Sequence, residues 1–133
     1  VLGVISLVSP TISTSSGGIA QIRINMAGKY GLERFMLLLS NSGDDIGFNL
    51  GQIHVPINFG ALTASTLSGD YRSQMVNFDS QLNINGDALS MIVLAPNSPS
   101  SLIGLTLYCA AIVMPPSGYP LSVTNSATLV FVP

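Results

Sequence analysis

The chain has 133 residues, of which 47% are hydrophobic and only 8% are Asp, Glu, Lys or Arg, with a mean hydropathy of +0.55 and a formal net charge of −2. That length fits one domain with a real core, but ordinary soluble domains carry roughly 25% charged residues. The four cations, Arg23, Lys29, Arg34 and Arg72, are scattered and cannot neutralise a row of phosphates, which argues against a nucleic-acid partner; the longest apolar stretch, Leu102–Met114, stops at Pro115, short of the ~20 residues of a transmembrane helix.

In chain order, Val1–Val8 reads as a strand with apolar residues on both faces: Val1, Ile5 and Leu7 on one, Leu2, Val4 and Val8 on the other. Ser9–Gly18 is turn-rich and reads as a flexible connector. Ile19–Met26 alternates cleanly, with Ala20, Ile22, Ile24 and Met26 toward a core and Ile19, Gln21, Arg23 and Asn25 toward water. Ala27–Arg34 reads as an exposed loop. Phe35–Ser40 is a strand, apolar on both faces, ended by Asn41–Asp45. Ile46–Leu50 reads as a short strand, and Gln52–Phe59 as an extended piece whose Pro56 restricts it to an edge or a bulge. Leu62–Leu67 fits a strand or a helical turn. Met75–Phe78 and Gln81–Ile84 follow, and then an Asn85–Gly86 turn.

From Ala88 to Pro133 no residue is charged. Strands are expected over Ala88–Leu94, Leu105–Met114, Leu121–Thr124 and Ala127–Val132. The pattern predicts an all-β, two-layer antiparallel sandwich, Ig-like or jelly-roll-like, of eight to ten strands.

A strand in a two-layer sandwich has one dry and one wet face. Leu105–Met114 has two dry faces: Leu105, Leu107, Cys109, Ala111 and Val113 on one, Thr106, Tyr108, Ala110, Ile112 and Met114 on the other. Phe35–Leu39 and Val1–Val8 behave alike. One small domain has difficulty covering all of these, and exposed apolar patches mark interfaces. The expected partners are therefore copies of the chain itself, meeting through Val1, Leu2, Val4, Ile5, Leu7, Val8, Phe35, Leu37, Leu39, Tyr108, Ile112 and Met114. Val1–Val8 either pairs within its own sandwich or is donated to a neighbour's sheet.

Candidate chemistry is sparse. His54 is the only histidine and Cys109 the only cysteine. Neither a hydrolytic triad with its nucleophile elbow nor a zinc site is supported, and Cys109 reads as a small buried hydrophobe. Asp79, Asn83, Asn85 and Asp87, with Asp44 and Asp45, bring oxygen ligands close in sequence, but the spacing and closing Glu of a calcium loop are missing. Turn chemistry is the simpler reading. No cofactor or metal is expected, and an enzyme is not. Tyr30, Tyr71 and Tyr119 fall in predicted loops and are the candidates for contact with a glycan or another surface ligand.

Several short motifs run in a recognisable order: Ala27–Gly28 with Phe35–Gly43 (FMLLLSNSG), Val55–Phe59 (VPINF), Leu82–Gly86 (LNING), Leu102–Ala110 (LIGLTLYCA) and Thr124–Pro133 (TNSATLVFVP). In this the chain resembles a β-rich module found at the C-terminal ends of large secreted proteins of planctomycetes and related bacteria. The resemblance spans nearly the whole chain and implies a secreted, sandwich-like module without catalytic residues. Asn83 stands where that pattern has an acidic residue before the turn, which weakens a metal site further. With the module as the whole sequence and Val1 at its start, the expectation is a mature extracellular or cell-surface protein, its leader removed. Its expected role is that of a self-assembling fibre or filament subunit. The alternatives are a carbohydrate- or protein-binding adhesion module and a viral jelly-roll capsid subunit.

Overall fold

A computed structural model describes residues 3–133, so the expectations for Val1 and Leu2 lie outside the described residues. The elements are β1 (Val4–Leu7), β2 (Thr11–Ser13), β3 (Gly18–Asn25), β4 (Arg34–Ser40), β5 (Phe48–Leu50), β6 (Ile53–Val55), α1 (Ala61–Leu67), β7 (Met75–Val76), β8 (Asp79–Gln81), β9 (Asp87–Leu94), a 3-10 turn (Ser100–Leu102), β10 (Thr106–Val113), β11 (Ser122–Val123) and β12 (Ala127–Val132). The all-β sandwich is as expected. Its strands outnumber the expected eight to ten because several are only two or three residues long.

One sheet has the order β1-β3-β9-β7 and the other β2-β12-β10-β4-β8, with β11 pairing the remaining edge of β10. The opening segment thus divides between the sheets: β1 runs antiparallel to β3, and β2 runs parallel to β12. This is the strand order of an Ig-type sandwich with a split first strand. Ser9–Gly18, expected as a flexible connector, carries β2. Ile12 of β2 is buried, and Thr14 donates its N–H to the Val132 carbonyl. A three-residue strand with one core side chain has no alternation to read.

The alternation of β3 holds. Ala20, Ile22, Ile24 and Met26 are buried against Phe35, Leu37 and Leu39 of β4, Leu107, Cys109, Ala111 and Val113 of β10, and Leu129 and Phe131 of β12. No disulfide ties the sheets, and Cys109 packs as one more apolar side chain in that core.

The second dry face of β4 and β10 has its own cover. Met36, Leu38, Ala110, Ile112 and Met114 form a second core with Val55 and Ile57, flanked by Phe48, Leu50, Ile53 and Leu67. The β5–β6 ribbon and the segment that follows it lie over this face. Pro56 follows directly after β6, and the ribbon is two-stranded, in register Phe48↔Val55. The helix α1, undecided in the sequence, guards the sheet edge. β8 pairs β4 only over Arg34–Met36. Beyond it the Leu39 N–H donates to the Thr66 hydroxyl, so α1 occupies an edge that would otherwise be free to pair.

The expectation that Phe35, Leu37, Leu39, Ile112 and Met114 face a partner is therefore corrected. All five are buried by this chain itself, the first three between the sheets and the last two under the β5–β6 ribbon. Tyr108 is half-buried beside the second core. Three layers of structure, not two, hide the surface for which a neighbour is expected from the sequence.

Candidate functional site

The face still uncovered is the outer side of the four-stranded sheet. β1 sends Ile5 into the core and packs Leu7 against it, leaving Val4 and Val8 more than half exposed at 53% and 55%. The opposite rows are set by register. Ile19 sits across from Val93, Gln21 from Met91, and Arg23 from Leu89; Val76 extends the Met91 row on β7. Ile19 is 55% and Leu89 41% exposed. The charges on this face are Arg23 and Asp87, diagonal neighbours because Asp87 pairs with Asn25. Of the expected interface residues described, Val4 and Val8 lie on this surface, and Ile5 and Leu7 do not.

A second feature is a cleft at one end of the sandwich. It has a volume of about 320 Å3 and opens between β7 and β9 of one sheet and the residues leading into β10 of the other, with α1 beside it. Its walls are apolar, aliphatic apart from Phe131; Arg72 and Gln74 are its polar lining. Neither this cleft nor the apolar outer face was anticipated as a site. The signal for the outer face was present in Ile19, Leu89, Met91 and Val93, but alternation identifies a solvent face without saying how apolar the assembled rows become.

The three loop tyrosines do not form one platform. Tyr30 and Tyr71 are half-buried against the main core. Tyr71 meets Phe78 edge to face, with ring centroids 6.0 Å apart. Its hydroxyl is buried without a hydrogen-bond partner, and burial pushes its pKa up to about 12. Tyr119 alone is exposed, at 75%. Tyr30 and Leu32 also hold left-handed backbone (φ 60° and 65°) within the loop before β4, a conformation that bulky residues rarely adopt.

His54 and Cys109 are separated by the sheet itself. His54 is exposed on the β5–β6 ribbon, its Nδ1 within 2.9 Å of the Asn49 carboxamide oxygen. Cys109 lies in the inter-sheet core on the other side, its thiol directed at the Ala127 carbonyl. The oxygen-bearing side chains are likewise spent separately. Asn83 accepts the N–H groups of Asn85 and Asp87 and so closes its own turn. Asp79 takes Arg34 in a two-pronged ion pair at 2.7 and 2.6 Å. Asp45 accepts from the Asn58 amide and Asp44 from the Ser126 hydroxyl. Among the described residues no group of three or more His, Cys, Asp or Glu side chains is placed to hold a metal ion, and no helix is long and apolar enough to cross a membrane.

No protein-family model matches the chain, and no curated protein matches it.

Proposed function

We propose that this chain is a non-catalytic structural module of the extracellular type, which associates with copies of itself through the outer face of its four-stranded sheet. The observation that carries the reading is the row pattern on that face, where Ile19, Leu89, Met91 and Val93, with Val8 bonded opposite Gln21, converge with one cation and one anion. The face is self-complementary. In a two-fold arrangement the same patch serves both partners, the apolar rows stack as sheets do in a sandwich, and Arg23 of one copy meets Asp87 of the other. The sparse charge of the whole chain supports the same reading, because little on its surface opposes close approach of a second copy. An adhesive, glycan-binding role has less support, since Tyr119 is the one exposed loop tyrosine. A capsid role has less again, since the strand order is Ig-type and not a jelly roll.

The test is sedimentation equilibrium of the purified chain across a concentration series. The wild type is expected to self-associate. The double variant Ile19→Glu/Leu89→Glu places charges in the centre of the face and is expected to sediment as a monomer with an unchanged circular dichroism spectrum. A wild type that stays monomeric throughout the series sinks the reading, and so does a double variant that associates as strongly as the wild type.

A further inference from the structure

We infer that the cleft at the end of the sandwich is a binding site for an aliphatic monocarboxylate, with the chain between the sheets and the carboxylate on Arg72. The site is separate from the proposed self-association face and does not depend on it.

Three observations lead there. The first is the cleft's shape and lining. Leu62 from α1, Met75 from β7, Leu94 from β9, and Leu102 and Leu105 ahead of β10 all line it, and all five are only partly buried against the main core. Apolar side chains from four separate elements converge on one space that none of them fills. The second is size. At about 320 Å3 the cleft lies at the lower end of the range for small-molecule pockets, about 300–1,000 Å3. It is roughly twice the ~150 Å3 of an apolar protein cavity that stays dry and takes benzene. Leucine and methionine walls suit a flexible chain, because Met in particular adapts to irregular contours.

The third observation is charge, and it selects the class of ligand. Arg72 lines the cleft, and among the described residues the one ion pair is Arg34 with Asp79, so Arg72 has no acidic partner. A guanidinium fork matches a carboxylate with two parallel N–H···O bonds. One cation with the neutral amide of Gln74 beside it matches a single negative charge. A hydrocarbon without a head group leaves Arg72 unused, whereas a phosphate monoester brings about two charges to one cation. An alkyl chain ending in one carboxylate uses both halves of the site.

The test is a titration of the full chain with decanoate, with 1-decanol of equal chain length, and with acetate, followed by the methyl resonances of Leu and Met in 1H–13C spectra. Decanoate is expected to shift the methyls of Leu62, Met75, Leu102 and Leu105 saturably and to bind about tenfold more tightly than decanol, the scale of one charge-assisted pair. Acetate, lacking the chain, is expected not to saturate. Arg72→Gln, an exposed substitution that leaves the core intact, should remove the preference for decanoate and leave decanol binding unchanged. Leu102→Trp should fill the cleft and weaken both ligands. Equal affinity for decanoate and decanol overturns the assignment, as do saturable shifts confined to methyls elsewhere, the absence of saturable binding, or an Arg72→Gln variant that keeps the preference. The Ile19→Glu/Leu89→Glu variant should bind decanoate as the wild type does, so the outcome here is independent of self-association.

Discussion

Asn58 shows how much one polar side chain organises in a protein so poor in charge. Its carboxamide oxygen accepts the N–H groups of Ile46 and Gly47, and its nitrogen donates to the Ser42 carbonyl and to Asp45. The Asn58 amide thereby holds the Asp45 carboxyl below its ordinary value, and the loop that launches the β5–β6 ribbon is fixed in place. Removing this side chain orphans several groups together. Asn58→Ala should cost about 1–3 kcal/mol, read as a lowered denaturant midpoint at constant slope. Cys109 gives a prediction in pH. Burial raises its thiol from 9.0 to about 12. Between those values the folded chain keeps a proton that the unfolded chain has released, so this contribution is full below pH 9 and is lost as pH rises toward 12. Tyr71, raised from 10.0 to about 12 chiefly by desolvation, acts in the same direction. Stability should therefore fall through that window, and less steeply in Cys109→Ala, as followed by denaturation at stepped pH. The same burial should protect the native thiol from alkylating reagents at pH 8 until the chain is unfolded.

Among the elements, the β5–β6 ribbon with α1 matters most for how the molecule meets solvent. It converts the second face of β4 and β10 from exposed to buried, and Leu38, Ala110 and Ile112 are fully enclosed as a result. Leu38→Ala should cost about 2–5 kcal/mol, the usual range for a large side chain removed from a packed core. By contrast the Arg34–Asp79 pair, which bridges β4 and β8 with both side chains partly solvated, should contribute under about 1 kcal/mol. Comparing Leu38→Ala with Asp79→Asn by urea denaturation checks that ordering, and a larger loss in Asp79→Asn contradicts it. The turn ahead of β9 is under a different constraint. Gly86 has φ +80°, and a Cβ there would strike the Lys29 carbonyl. The Asn-Gly pair is thus required by backbone conformation and by close contact with the neighbouring loop.

At the scale of the whole molecule, the balance between apolar content and available cover decides the behaviour. The chain hides both faces of β4 and β10 in its six-stranded sheet, one against the other sheet and one under its own ribbon. It leaves the outer face of the four-stranded sheet uncovered. The proposed self-association follows from that remainder. It rests mainly on apolar contact, so it should persist at high salt, where an association held by surface ion pairs weakens. The Arg23–Asp87 contacts orient the two copies more than they hold them together.

Much of the fold was legible in local pattern. The alternation of Ile19–Met26 placed each side chain of β3 on its observed face, and Ala127–Val132 marked β12 at its observed bounds. The two faces of Leu105–Met114 were also sorted as they are found. Local pattern could say that both faces of β10 must be dry, because burial is written in the residues that are buried. What covers them is a long-range matter. The short apolar pieces around Phe48, Ile53 and Ile57 carry no mark of the strand face they meet, and neither does Thr66 of the edge it guards. Only tertiary structure decided that the chain folds back to cover its own sheet, that Tyr30 and Tyr71 turn inward, and that Arg72 stands beside a leucine-lined cleft. Each of these depends on contact between segments distant in sequence, which hydrophobic period and turn chemistry do not encode.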